Sequence, residues 1–428
     1  MNSRQPTLGV IADDFTGATD VAGMLVKAGM STLLTIDVPG PDEPAGATLD
    51  ADAVVVALKS RTTPAADAVR ESLAALARLQ AAGCRRFYFK VCSTFDSTPR
   101  GNIGPVAEAL MAALGADFAV ACPAFPENGR SVYRGHLFVG DQLLSDSGMR
   151  EHPLTPMTDA NLVRWLQAQT HGRVGLLRHE VVAAGAEALA ARMAALRTEG
   201  VRIAIADAID NDDLRRLGAA CADLPLVVAG SGLALGLPAA YAARGWMQPD
   251  AAAASLPAVG GQAAVLSGSC STATNAQVQH WLQAGRPAFR IDAVQLAAGV
   301  PLAEQALAWA APLLAAQAVL VYATAGADEV KAVQQQLGAE RAGALVEACL
   351  AEIATGLRER GVRRLVVAGG ETSGAVVQAL QVRRLRVGAP IDPGVPWTQA
   401  EGRPLLLALK SGNFGSVDFF AKALAMVS

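Results

Sequence analysis

The sequence is short of the residues that mark several protein classes. Its 428 residues include six cysteines, five histidines and only 5% aromatic side chains. Cys84, Cys92, Cys122, Cys221, Cys270 and Cys349 are scattered, form no CxxC pair, and do not cluster with the histidines. A disulfide framework or a zinc site is therefore not expected, and reduced thiols are. Basic residues are not in surplus, since 36 Lys+Arg face 39 Asp+Glu and leave a net charge of −3. That balance argues against a nucleic-acid partner, and the lack of a polybasic run argues against a membrane surface. No apolar run reaches the roughly 18 residues that a membrane span needs. The N-terminal MNSRQPTLGV lacks the apolar core of a signal peptide. A cytoplasmic location is expected.

What the chain does have is core material. Hydrophobic residues make up 52% and charged residues 18%, a folded composition, and the length suits two domains. Short β-rich runs alternate with Ala/Leu-rich helical stretches. The runs are LGVIA (8–12), STLLTID (31–37), AVVVAL (53–58), RFYFKV (86–91), FAVACP (118–123), RIAIAD (202–207) and LPLVVAG (224–230). Later come AAVLSG (263–268), AVLVYAT (318–324), RLVVAGG (364–370) and LLLALKSG (405–412). Nearly continuous apolar runs suit strands buried on both faces. The expected fold class is α/β, in two domains, each a mostly parallel sheet flanked by helices. The stretch 247–262, with two prolines and a Gly pair, reads as the linker. The domains expected are 1–248 and 249–428.

The chemistry gathers at strand ends. In open parallel sheets ligands bind beyond the carboxyl ends of the strands. GVIADDFTGATD puts Asp13 and Asp14 at such an end, before a helix on which Ala18, Val21, Ala22, Leu25 and Val26 share a face. One acid, or Thr16, suffices to cap that helix. The second acid suits grasping a hydroxyl, accepting its proton, or holding a metal ion. Other ends carry Lys59, Ser60 and Arg61; Lys90, then Ser93, Thr94, Asp96, Arg100 and Asn102; and Glu127, Asn128 and Arg130. Such a rim suits a small polyhydroxylated anion, unless it is simply a solvated loop face.

The later strand ends are rich in glycine and small hydroxyls. Ser267, Gly268 and Ser269 follow one strand; Gly369, Gly370, Glu371 and Thr372 follow another; Lys410, Ser411, Gly412 and Asn413 follow a third. Glycine turns ahead of helices suit phosphate, though ordinary βα turns also use glycine. GxxxxGK[ST] is absent, and VVAGSGLALG (227–236) only partly matches the dinucleotide fingerprint. A dinucleotide-dependent oxidoreductase and a non-catalytic sugar-acid binder are the rival classes.

IADDFTG, FKVCSTFDSTPRGNIG, CPAFPENGR with YRGHLFV, GGETSG and KSGNFG together resemble the four-carbon acid sugar kinase family, almost end to end. IDPGVPW followed by LALKSGNFG is most similar to its 3-oxo-tetronate branch. The resemblance implies a sugar-acid domain followed by an ATP-binding domain. It implies transfer of the ATP γ-phosphate to the C4 hydroxyl of a four-carbon sugar acid, with Mg²⁺. Threonate and erythronate are the alternative acceptors. Carried over, the nucleotide positions are Ser267, Gly369, Gly370, Glu371, Thr372 and Gly412. Asp14 is the preferred base, with Asp13 beside it. Arg61 and Lys90 are expected to meet the substrate carboxylate, with Ser93, Asp96, Arg100 and Asn128 around the sugar. No protein metal cage is expected, and a homodimer is only the common default.

Overall fold

The computed structural model describes residues 5–36, 50–152 and 154–427. It divides into two compact units, Met1–Ala254 and Ser255–Ser428. The strands of the first are β1 (Leu8–Ala12), β2 (Thr32–Ile36), β3 (Ala53–Ala57), β4 (Arg86–Lys90), β5 (Ala119–Cys122), β6 (Arg130–Tyr133), β7 (His136–Val139), β8 (Gln142–Leu143), β9 (Arg173–Leu177), β10 (Val201–Ala206) and β11 (Leu226–Ala229). Asp37, expected to end the second strand, lies outside the described residues.

Parallel pairing sets the order β2-β3-β1-β4-β11-β5-β10-β9, while β6, β7 and β8 form a small antiparallel sheet. β1 is buried at every position, as is β3. That fits the continuous apolar runs, since helices cover such sheets on both faces. Register decides where the chemistry falls. Ala12 pairs with both Ala57 and Lys90, and Ala229 pairs with Lys90 and with Cys122. Strands β3, β1, β4, β11 and β5 therefore end level, and the residues that follow them emerge on one edge.

The helix after β1, Phe15–Lys27, is buried from Thr16 through Val26. The expectation of one apolar face is thus too narrow, because its small residues let neighbours close around it. Gly29, just past its end, adopts φ +86°, the left-handed conformation of a helix stop.

The second unit contains β12 (Gln262–Ser267), β13 (Ala288–Arg290), β14 (Val319–Tyr322), β15 (Val362–Ala368), β16 (Arg384–Asp392), β17 (Val395–Ala400) and β18 (Leu406–Lys410). β13-β14-β12-β15-β18 are parallel, and β17 and β16 continue the sheet antiparallel. Ser267 pairs with Tyr322 and Ala368, and Ala368 pairs with Lys410. Here too the strand ends are level. Trp281, Trp397, Phe419 and Phe420 share one core. Both indole N–H groups there are satisfied, Trp281 donating to Pro287 O at 3.1 Å and Trp397 to Ala423 O at 3.0 Å. Among the described residues, no helix is long and apolar enough to cross a membrane.

Candidate active site

In the first unit the sheet edge brings Asp13, Asp14, Arg61 and Lys90 together. Arg61 donates Nε to Asp13 Oδ2 at 3.0 Å and Nη2 to Asp13 Oδ1 at 2.7 Å, and Nη2 also bonds Asp14 Oδ1. The loop after β3 is drawn in by backbone bonds, Ser60 N and Arg61 N donating to Asp13 O at 2.9 and 3.0 Å. Asn102 holds the same loop from the other side, donating to Ser60 O, Arg61 O and Thr63 O at 2.7, 3.3 and 3.1 Å. Lys90 is buried, its ammonium donating to Val91 O at 2.7 Å.

The two acids have different duties. Asp14 is the N-cap of the helix that follows, accepting from Gly17 N at 3.0 Å and from Thr16 Oγ1 at 2.7 Å. Asp13 makes no cap and is almost wholly buried. Burial raises the Asp13 carboxyl above its usual range, against the pull of Arg61. Burial would raise Asp14 too, but Arg61, Lys90, Thr16 and the Gly17 amide outweigh it and hold its pKa below the usual value. Gly17 is required by space. A Cβ there would overlap Asp14 Oδ1 and stand 2.9 Å from Lys90 Nζ.

Asp20, one and a half turns along the same helix, was not among the expected site residues. It is buried, and burial pushes its carboxyl up to about 6, with Lys90 and the Ser231 hydroxyl acting the other way. An acid inside the otherwise apolar 18–26 stretch was the available signal.

The remaining expected residues are spread along the rim. Asp96 is half-buried and accepts from Thr94 Oγ1 at 2.6 Å; Ser93 is half-buried beside it. Phe95, between Thr94 and Asp96, is fully buried at φ +55°, a conformation rare for a bulky residue and one that sites hold under strain. Arg100 is exposed. Asn128 lies on the short turn after β5, and its Nδ2 is buried without a hydrogen-bond partner. Among the described residues, no hydrogen bond or ion pair links Arg100 or Asn128 to the acid pair.

In the second unit a pocket of about 550 Å³ opens at the level strand ends. Gly369, Gly370, Glu371 and Thr372 line it, with Gly268, Ser269 and Cys270. The two turns are packed against each other. A Cβ on Gly268 would overlap Thr372 Oγ1, and Gly369 adopts φ +128°, open to glycine. The helix Gly370–Ala379 starts there, without a side-chain cap, and the first amides of a helix have no partner within it. Ser267 and Gly412 stand outside this lining. The Ser267 hydroxyl is buried against Thr324 Oγ1 at 2.7 Å.

Gly412 belongs to a second loop. Its carbonyl accepts from Ser271 Oγ at 2.6 Å, Thr274 Oγ1 at 2.8 Å and Lys410 Nζ at 3.0 Å. Lys410 is fully buried, and it also donates to Thr274 Oγ1 at 2.9 Å and Ser411 O at 3.0 Å. Burial lowers its ammonium to about 7. Asn275 ties the Cys270 loop to Ala325 O at 3.1 Å. Thr274 and Asn275 were not anticipated, although both follow the Ser-Gly turn within two helical turns.

Known proteins match both halves of the chain. A family model described as a sugar-binding N-terminal domain matches residues 8–237, and one described as a nucleotide-binding C-terminal domain matches 264–420. A 3-oxo-tetronate kinase of Pseudomonas fluorescens is 63% identical, over 100% of this chain and 99% of that protein. One from Cupriavidus necator is 62% identical, over 99% and 97%. A solved Salmonella typhimurium LT2 protein, described provisionally as a tRNA synthase, is 46% identical with TM-score 0.88, over 97% and 98% of the chains. A solved Haemophilus influenzae protein is 44% identical with TM-score 0.81, over 98% and 100%. Matched from its first strand to its last helix, the chain belongs to the four-carbon acid sugar kinase family.

Proposed function

We propose that this protein is an ATP-dependent kinase that phosphorylates the C4 hydroxyl of 3-oxo-tetronate. The observation that carries the reading is the 63% identity to a 3-oxo-tetronate kinase along essentially the whole of both chains. The first unit is assigned the sugar acid and the second the nucleotide. In the transfer, the C4 oxygen bonds to the γ-phosphorus, the bond from that phosphorus to the bridging oxygen breaks, and ADP leaves. The hydroxyl proton passes to Asp14. Its carboxylate is half-buried and kept ionised by its neighbours, whereas Asp13 is closed off by the Arg61 fork. Arg61 then serves chiefly to fix both acids, and Lys90 adds positive charge beneath them. The substrate carboxylate is assigned to Arg100, with Ser93, Asp96 and Asn128 on the hydroxyls.

Glycine turns before a helix favour the nucleotide phosphates through backbone N–H groups. Among the described residues there is no group of three metal-ligating side chains. Glu371 lines the pocket, and Glu329 does so in an ion pair with Arg290, so few protein carboxylates are on offer, which fits a hydrated Mg²⁺ carried mainly on phosphate oxygens. Bound there, the ion would neutralise phosphate charge. The protein's own part is positioning and water exclusion.

ADP release from Mg-ATP tests the reading, with 3-oxo-tetronates, D- and L-threonate and D- and L-erythronate as acceptors. Strong turnover with a 3-oxo acid alone is expected. Turnover with a plain aldonate instead keeps the kinase and discards the 3-oxo acceptor; no turnover by folded protein discards both.

A further inference from the structure

The helix Phe15–Lys27 carries a single acid, Asp20, and buries it. Other buried acids of the first unit hold backbone amides. Asp52 accepts from Ser31 N at 3.0 Å, Asp213 from Ile209 N at 3.0 Å, and Asp207 from Arg134 N, Gly135 N and His179 N at 2.8, 2.8 and 2.9 Å. Asp20 holds no such amide, and its Oδ1 is buried with no hydrogen-bond partner among the described residues. An unpaired buried polar atom is destabilising. Holding the fold together does not account for this acid.

Its surroundings are charged instead. Gly17 lies one helical turn from Asp14 and one from Asp20, the neighbour of both on the i, i+3 ridge. A Cβ built on it would stand 2.9 Å from Lys90 Nζ, so the ammonium rests on the helix between these two acids. That ammonium donates to Val91 O and favours the ionised form of each carboxyl. Burial raises the Asp20 carboxyl; Lys90 of β4 and then Ser231, after β11, pull it down; Asp14 and Glu127, on the turn after β5, push it up. Tyr88, also of β4, feels the charge of Asp20 in turn.

Asp14 and Asp20 thus draw on one cation. While Asp20 is neutral, Lys90 serves Asp14 alone and keeps it a weak base. Once Asp20 is ionised, its charge and its claim on Lys90 make Asp14 hold a proton more firmly. We propose that Asp20 is a positioning residue that sets, through the shared Lys90, the strength of Asp14 as the base. This rests on the kinase reading and on Asp14 as its base.

The test is kcat at saturating Mg-ATP and 3-oxo-tetronate between pH 5 and pH 8, for full-length wild type, Asp20→Asn and Ser231→Ala. Asparagine is neutral throughout. Asp20→Asn should therefore match wild type at pH 5 and fall roughly three- to fivefold below it at pH 7.5. Ser231→Ala removes one support of the ionised form, so it should move the rise in kcat to higher pH and leave kcat at pH 8 within about twofold. A purely structural Asp20 gives a ratio of wild-type to Asp20→Asn rates that is the same at every pH, and that result overturns the proposal while leaving the kinase reading intact. Where Asp20→Asn melts below the assay temperature, Ser231→Ala decides alone, and an unmoved rise overturns the role. Wild-type protein without turnover overturns the kinase reading and this role with it.

Discussion

A single guanidinium nitrogen, Arg61 Nη2, is shared by the carboxylates of Asp13 and Asp14. The adjacency of the acids in sequence is therefore a paired structure, with one cation keeping two buried negative charges side by side. Removing one partner of a buried pair costs about 3–5 kcal/mol, and somewhat less here because Arg61 is partly exposed. Arg61→Ala should lower stability by about 2–3 kcal/mol. Arg61→Lys should recover less than half of that, since it lacks the fork. Denaturant unfolding reads both; equal stability of Arg61→Ala and the wild type would remove Arg61 from the cluster.

Asp14→Asn should lower kcat at least a hundredfold and leave ATP affinity within about twofold. The amide still accepts from Gly17, so the helix cap survives and the loss reports chemistry. Steady-state kinetics beside an ATP titration separate the two effects. Turnover within a few-fold of wild type would move the base elsewhere.

Asp20 should make stability fall as pH rises. Its ordinary value is 3.8, and in the fold it is raised to about 6. The folded chain thus holds this proton more tightly than the unfolded chain. Its contribution is most favourable below about 4, declines between 4 and 6, and is lost above, a swing of up to about 3 kcal/mol. Asp20→Asn removes the titration. The stability of the variant relative to wild type should therefore rise between pH 4.5 and pH 7.5 in urea unfolding. The same difference at both values would show that Asp20 is not raised.

Lys410 predicts a different pH effect. Its ammonium titrates near 7 instead of 10.5, so the folded chain loses this proton while the unfolded chain keeps it. Between about 7 and 10.5 its titration favours folding as pH rises. The protonated form is the better donor to Thr274, Ser411 and Gly412. ATP affinity should weaken from pH 6 to pH 8 more in wild type than in Lys410→Met, which should be uniformly weaker by about tenfold. Parallel pH profiles for the two proteins would exclude the role.

Gly268 and Thr372 should be coupled. Gly268→Ala drives a methyl into Thr372 Oγ1, and ATP affinity should fall at least tenfold. In a Thr372→Ala background the same change should cost less than threefold further. Additive losses in that double-mutant cycle would mean that the two turns do not touch functionally.

Much of this was legible in the sequence. LGVIA, AVVVAL and RFYFKV predict β1, β3 and β4, because strands buried on both faces need unbroken apolar runs. The acid pair and the glycine turns stood out because strand ends are where charge and glycine are not needed for packing. β6, β7 and β8 were not anticipated, as RSVYRGHLFVGDQL is short-period, half-exposed and cut by two Gly turns. The hairpin β16–β17 was missed because RVGAPID carries a Pro and bulges. Nor could spacing alone reveal that Arg61 faces two acids, or that Lys410 points inward. Both depend on which strands are neighbours, and register is a property of the folded sheet.

The acid pair with Arg61 and Lys90 amounts to two carboxylates, one guanidinium and one ammonium, whose formal charges cancel. Such a cluster projects little field beyond its own dimensions. The cluster itself therefore does not steer an anionic substrate from a distance. Any dependence of the association rate on ionic strength should accordingly come from rim cations such as the exposed Arg100, and be lost in Arg100→Ala.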